Sequence, residues 1–157
     1  MTREEKFMHE AVNMGIEGMR NNLGGPFGCV IVKDDKIIGK GCNSVIVTND
    51  PTAHAEIVAI RDACFHLQSF QLNDCEVYTT CEPCPMCMGA IYWARPKKVY
   101  YANSRTDAAK IGFDDSFIYG ELSLPVEKRK IEMECLHTDE AIKMFEEWKL
   151  INNKTLY

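Results

Sequence analysis

The sequence has no long apolar run and no excess of positive charge. No stretch approaches the roughly 20 consecutive apolar residues that a membrane-spanning helix needs, so a membrane protein is not expected. Lysine and arginine number 18 against 23 aspartates and glutamates, which gives a net charge of -5. Because proteins that cover a nucleic acid backbone are normally basic, this balance argues against a broad nucleic-acid-binding surface.

Targeting signals, repeats and linkers are missing as well. The N-terminus is polar and charged from Thr2 to Lys6, unlike a secretory signal peptide. No internal repeat, low-complexity tract or linker divides the 157 residues, a length that suits one compact domain with its own core. We therefore expect a cytoplasmic protein with a single domain over residues 1–157.

Cysteine, in contrast, is frequent, with eight residues in the chain. In a reducing compartment, clustered cysteines more often bind metal or carry chemistry than form disulfides. Five stand singly in apolar surroundings and are expected to be small buried side chains: Cys29, Cys42, Cys64, Cys75 and Cys135. The other three, Cys81, Cys84 and Cys87, form two overlapping C-x-x-C pairs.

The residue pattern predicts helices and strands in mixed order. A capping box at Thr2–Glu5 opens a helix to about Arg20, and two β-rich runs around Asp34-Asp35 predict a hairpin. Further helices are expected at Ala53–Leu67, from the cysteine-rich segment to about Ala94, and at Thr138–Ile151. The region Ser104–Leu124 is expected to be irregular or partly helical.

Three more strands are predicted, at Glu76–Thr80, Lys98–Ala102 and Lys130–Leu136. The first two are joined through a helix, so they should be parallel. With the hairpin they give a five-stranded mixed sheet flanked by helices. This is a three-layer α/β/α fold.

Cys84 and Cys87 are placed to hold a metal ion. Two thiols three residues apart lie on one face of a helical turn, and His54 is the best candidate for a third ligand. One histidine and two cysteines leave the fourth position of a tetrahedral zinc open for water, which is typical of catalytic sites. Since His54 and Glu56 are two residues apart, both can serve one site only at a helix start, where Glu56 would carry protons.

Cys81 leaves an alternative open. All three clustered cysteines could bind zinc together with His54 in a structural site, but Glu56 would then have no role beside the metal. A redox C-x-x-C motif is a weaker alternative, because it predicts neither His54 nor Glu56.

His-Ala-Glu at 54–56 followed by Pro-Cys-x-x-Cys at 83–87 is the signature of zinc-dependent nucleoside and nucleobase deaminases. Within that superfamily the chain resembles the bacterial guanine deaminases of the cytidine-deaminase fold. The resembling stretches are 25–28, 49–56, 81–95, 112–119 and Tyr157. The resemblance implies one zinc ion per subunit and the deamination of guanine, a small purine base, to xanthine and ammonia. Adenosine in tRNA and free cytosine are alternative substrates, and a zinc-stapled scaffold without catalysis is the non-enzymatic alternative.

The resemblance also implies roles for single residues. His54, Cys84 and Cys87 would be the zinc ligands, with Cys81 a free thiol and Glu56 the proton shuttle. Asp115, ahead of Asp114, would help to recognise or protonate the purine. The substrate-binding residues would be Asn43, Phe27, Trp93, Ala55, Asp114 and Tyr157.

In the resembled family the C-terminal segment is exchanged between the subunits of a homodimer. The resemblance thus implies that about residues 138–157 pass to a partner, where Tyr157 would close over the partner's base.

Overall fold

The computed structural model describes all 157 residues. Its α-helices are α1 Arg3–Arg20, α2 Val45–Thr48, α3 Ala55–Leu67, α4 Pro85–Ala94, α5 Arg105–Lys110, α6 Ser116–Ser123 and α7 Asp139–Leu150. Its strands are β1 Gly28–Lys33, β2 Lys36–Cys42, β3 Glu76–Cys81 and β4 Lys98–Asn103. A short 3-10 helix covers Val126–Lys128. The chain forms two compact units, Met1–Ser116 and Phe117–Tyr157. None of the helices combines the length and the apolar character that crossing a membrane requires.

The first unit contains a four-stranded sheet in the order β2-β1-β3-β4. Strands β1 and β2 form the predicted antiparallel hairpin, whose turn residues Asp34 and Asp35 have φ angles of 48° and 60°. Such positive φ values match the twist of a tight hairpin turn. Strand β1 is antiparallel to β3, and β3 is parallel to β4 across helix α4, as predicted.

The prediction of a fifth strand at Lys130–Leu136 is wrong. These residues form no sheet pairing, and the Lys130 N–H donates instead to Glu121 Oε2 at 2.7 Å. Apolar and acidic residues alternate there with period two, from Ile131 to Cys135, as is typical of a half-buried strand. Since a strand is stabilised by ladder hydrogen bonds to a neighbour, alternation alone does not create one.

The three-layer α/β/α arrangement is confirmed by the two cores on either side of the sheet. On one face, Cys29 and Ile31 of β1 pack with α3 and α4. On the other, Val30 and Val32 pack with Tyr78 and helix α1. Because successive strand residues point to opposite faces, β1 supplies both cores and its side chains are almost wholly buried.

The backbone of helix α3 lies in close contact with the backbone of strand β2. Its buried face consists of alanines, Ala55, Ala59 and Ala63, and it lies over Gly39 and Gly41 of β2. A Cβ atom at Gly41 would overlap the Ala55 carbonyl oxygen and lie 2.6 Å from the Ala59 nitrogen. The start of α3, with its chemically active residues, is therefore held firmly against the sheet.

Replacing Gly41 by alanine should force α3 away from β2. Overpacking of this kind costs about 1–3 kcal/mol, so the midpoint of urea unfolding should fall clearly. Gly89, on the surface of α4, is the matched control, because a Cβ there would have no neighbour within 4 Å. Gly89→Ala should be neutral or stabilising by about 0.5–1 kcal/mol, since alanine favours a helix over glycine. Equal midpoints for the two variants would contradict the close packing of α3.

Candidate metal and catalytic site

Two helix starts meet at the candidate site. His54 is the N-cap of α3 and Cys84 is the N-cap of α4, and both have extended backbone conformations. Upstream of α3, Asp50 Oδ1 accepts hydrogen bonds from the N–H and hydroxyl of Thr52, which forms the turn leading to His54. Pro85 at the first position of α4 has the φ angle that a helix start requires. Cap residues project beyond the helix end, so the imidazole and the thiol reach a shared space.

The ligand atoms of His54, Cys84 and Cys87 lie within 4.8 Å of one another. His54 Nδ1 is 3.5 Å from each of the two sulfurs. Zinc binds histidine nitrogen at about 2.0–2.1 Å and thiolate sulfur at about 2.3 Å, which places the two ligand atoms about 3.5 Å apart around a tetrahedral ion. The donor set therefore fits zinc, with one coordination position left open.

Cys81 lies outside this group. Its sulfur is directed towards the carbonyl oxygen of Ser104, at 3.7 Å. Burial, with the neighbouring Glu56 carboxylate as a second cause, raises the pKa of the Cys81 thiol to about 11. A protonated thiol turned to a backbone carbonyl is a poor metal ligand, which argues against a structural site with four protein ligands.

The three candidate ligands influence one another's pKa values, and the negative charge is stabilised on Cys84. The pKa of the Cys84 thiol is lowered by the hydrogen bond from the Cys87 thiol and by His54. In turn, the pKa of Cys87 is raised by its bond to Cys84, and that of His54 is raised by Cys84. The positive ends of two helix dipoles also favour thiolate here. The arrangement thus suits a cation.

Glu56 connects the cluster to the sheet. Its side chain is only 6% exposed, with Oε1 accepting from the Thr79 hydroxyl at 3.1 Å and Oε2 lying 3.5 Å from Cys87 Sγ. Burial raises the pKa of the carboxyl, while hydrogen bonds from its own backbone N–H and from Thr79 work in the opposite direction. A buried carboxyl of raised pKa beside a metal-ligand group is suited to proton transfer.

The Asn43 side chain has a fixed orientation. Its Oδ1 accepts hydrogen bonds from the backbone N–H groups of Gly25, at 3.2 Å, and Val45, at 3.3 Å. Because both partners are donors, the oxygen of the amide must face them, and Nδ2 is left to donate elsewhere. Gly24 allows this approach, since a Cβ there would overlap Asn43 Oδ1.

Phe27 meets a second aromatic residue, Phe113, edge to face, with 4.9 Å between the ring centroids and 88° between the planes. The family resemblance covers the segment that contains Phe113 but assigns this residue no role. The signal for it was weak, because a lone phenylalanine after Gly112 is usually a core residue. Ala55, another predicted site residue, is fully buried at the first position of α3.

The two neighbouring aspartates have different surroundings. Asp114 Oδ1 accepts from the Ser116 N–H at 2.9 Å, which stabilises the start of α6, and Ser116 holds the pKa of Asp114 below its usual range. The pKa of Asp115 is instead raised by burial and by the nearby Cys84. Of the two aspartates, Asp115 is the one whose pKa is raised by a residue of the candidate metal site.

Trp93 and Tyr157 are not part of the metal-ligand group. Trp93 lies in the last turn of α4, about 12 Å along the helix axis from Pro85, and is 65% exposed. Tyr157 belongs to the second unit and is 71% exposed. Their roles towards a substrate stay predictions.

Comparison with known families agrees with this geometry. Residues 1–103 match the family model described as the cytidine and deoxycytidylate deaminase zinc-binding region. The chain belongs to this zinc-binding deaminase family.

Known relatives place the chain more narrowly. It is 54% identical to the guanine deaminase of Bacillus subtilis strain 168, over 98% of each chain. The crystal structure of guanine deaminase from Bacillus subtilis superimposes with a TM-score of 0.95 over 98% of both chains. A tRNA-specific adenosine deaminase of Aquifex aeolicus is 38% identical over 82% of this chain and 83% of its own length. The guanine deaminase from Nitrosomonas europaea is 30% identical, with a TM-score of 0.66 over 69% of this chain and 63% of that one.

Replacing Cys84 by alanine should abolish zinc binding and lower thermal stability together, because metal binding free energy adds to folding free energy. The zinc content by elemental analysis should fall from about one per chain to near zero. Cys81→Ala is the matched control and should retain its zinc, since that sulfur faces Ser104. Loss of zinc in Cys81→Ala would restore the four-ligand structural site.

Proposed function

We propose that the protein hydrolyses guanine to xanthine and ammonia with one zinc ion per subunit. One water molecule is consumed: its oxygen bonds to C2 of the purine, and the exocyclic amine leaves as ammonia. The observation that carries this proposal is the 54% identity to a guanine deaminase over 98% of both chains. The ligand group formed by His54, Cys84 and Cys87 supports it, since the chemistry needs a metal with an open position.

The protein's own groups have distinct tasks in this reaction. His54, Cys84 and Cys87 would hold the zinc ion. Bound zinc supplies Lewis acidity, which lowers the pKa of water towards neutrality. Glu56 accepts a proton from the attacking water and delivers it to a ring nitrogen of the base. The same carboxyl then assists the departure of ammonia, and its buried position keeps bulk water from competing for the proton.

Asn43 reads one edge of the base. Guanine presents two acceptors, N7 and O6, where adenine presents N7 and an amine donor. The Nδ2 group of Asn43 is a donor, because backbone N–H groups of Gly25 and Val45 occupy its oxygen. A donor in this position favours a purine that carries a carbonyl over one that carries an amine there.

Asp115 supplies the complementary group. Its carboxylate can accept the N1–H that guanine has and adenine lacks, and burial raises the pKa of this carboxyl, which favours proton exchange with the base. Phe27 and Phe113 provide the apolar surface against which a flat base can lie. Ala55, small and fully buried, leaves room beside them and contributes a first-turn backbone N–H. In this proposal Asp114 caps the start of α6, and Trp93 forms an outer wall of the substrate pocket.

The pure, zinc-loaded protein should release ammonia from guanine. Adenine, cytosine, their nucleosides and a tRNA substrate should give little or none, because their edges mismatch Asn43 and Asp115. Glu56→Gln should keep its zinc and lose turnover by about two orders of magnitude or more, since the amide cannot transfer the proton. Faster release from tRNA than from guanine would replace this proposal with the tRNA-editing alternative, and no release at all would favour a scaffold.

We propose further that the 157 residues form one functional domain of a cytoplasmic homodimer, in which residues 138–157 are exchanged and Tyr157 serves the partner's site. The exposed apolar residues of α7 support an interface for this segment: Ile142, Met144, Phe145 and Trp148. Large apolar side chains left exposed together on one helix are typical of an interaction site.

Exchange can be tested by complementation. The Glu56→Gln chain has an unmodified Tyr157, and the Tyr157→Ala chain has an unmodified Glu56. Each variant alone should have low activity. If Tyr157 serves the partner, coexpression of the two gives a hybrid dimer with one intact site, and guanine deamination returns. Coexpression of two differently tagged Glu56→Gln chains is the control and should stay inactive. Hybrid dimers that stay at the level of the separate variants would rule out the exchange.

A further inference from the structure

We infer that Thr79 is a positioning residue that holds the Glu56 carboxylate for proton transfer. The Thr79 hydroxyl donates to Glu56 Oε1 at 3.1 Å, and the residue is only 1% exposed. Thr79 would touch neither substrate nor metal, so it acts through Glu56. The inference rests on the proposed function, in which Glu56 is the proton carrier.

One residue of the sheet, Thr79, donates a hydrogen bond to Glu56. Thr79 lies near the end of β3, opposite Cys29 of β1, on the face that packs against α3. Glu56 has two side-chain partners, the Thr79 hydroxyl and the Cys87 thiol. A thiol is a weak donor. The Thr79 hydroxyl, 3.1 Å from Oε1, is therefore the stronger of the two side-chain donors.

The need for this hydroxyl follows from how a glutamate moves. The terminal torsion of a glutamate side chain is soft, so nothing in its own geometry fixes which way the two oxygens point. With Oε1 held by Thr79, Oε2 is directed to the side where Cys87 lies, 3.5 Å away. That is the side on which the proton must be exchanged.

The choice of residue points the same way. A fully buried strand position beside Cys29 and Val77 would suit valine, which has the same shape as threonine without the polar group. Burying a hydroxyl without a partner is costly, and the hydrogen bond from Thr79 Oγ1 to Glu56 provides that partner. The Thr79 hydroxyl and the Glu56 carboxylate thus satisfy each other's hydrogen-bonding needs in the protein interior.

Thr79→Val removes the donor and keeps the shape. In the zinc-loaded protein we expect kcat for guanine to fall about tenfold or more, while KM stays within about twofold, because misplacement of a catalytic group acts on the chemical step. Thr79→Ser keeps the hydroxyl and should recover most of the loss. Thr80→Val is the matched control: that hydroxyl accepts from the Gly28 N–H, so the variant should lower Tm and leave kcat nearly unchanged.

Two results would overturn the inference. One is a Thr79→Val protein with full zinc content and the kcat of the parent. The other is a crystal structure of Thr79→Val in which the Glu56 carboxylate keeps its parent orientation. Should Thr79→Val fail to fold, Thr79→Ala removes the same donor with a smaller side chain and is measured in the same way. A parent protein that does not deaminate guanine would refute the proposed function instead, which keeps the two failures distinct.

Discussion

The close contact between helix α3 and strand β2 is the constraint on which the site depends. Glycines at 39 and 41 let the alanine face of α3 lie directly on the sheet backbone. His54, the N-cap of that helix, and Glu56, in its first turn, are thereby fixed relative to β3, which leads into Cys84 and Cys87. A displacement of α3 by the width of one methyl group would separate the imidazole from the sulfurs, whose present spacing of 3.5 Å suits a single ion.

Around this frame, polar groups are divided between two tasks. Burial raises the pKa of the Glu56 and Asp115 carboxyls, which favours proton exchange. Other groups fix the orientation of the site's side chains through hydrogen bonds. The Thr79 hydroxyl donates to Glu56, and the backbone N–H groups of Gly25 and Val45 donate to Asn43. Glu56 and Asn43 are thus each held by a hydrogen-bond donor of the fold, which restricts the motion of their side chains.

Much of the fold and the metal-ligand group could be predicted from the sequence, because these depend on local rules. The hairpin turn, the capping box at Thr2 and the helix starts at His54 and Cys84 all have short-range signals. The fifth strand failed because pairing is a long-range property that alternation at 131–135 does not specify. Thr79 and Phe113 were missed since one depends on a contact 23 residues away and the other on a ring contact with Phe27.

The candidate ligands His54 and Cys84 are 30 residues apart in the chain and belong to different secondary-structure elements. A zinc ion held between them would act as a removable crosslink, closing a loop that contains α3 and β3. Unlike a disulfide, such a crosslink strengthens with the concentration of free ion, because a ligand that binds only the folded state stabilises it by mass action. The heat tolerance of this protein would then vary with the zinc supply of the cell that makes it.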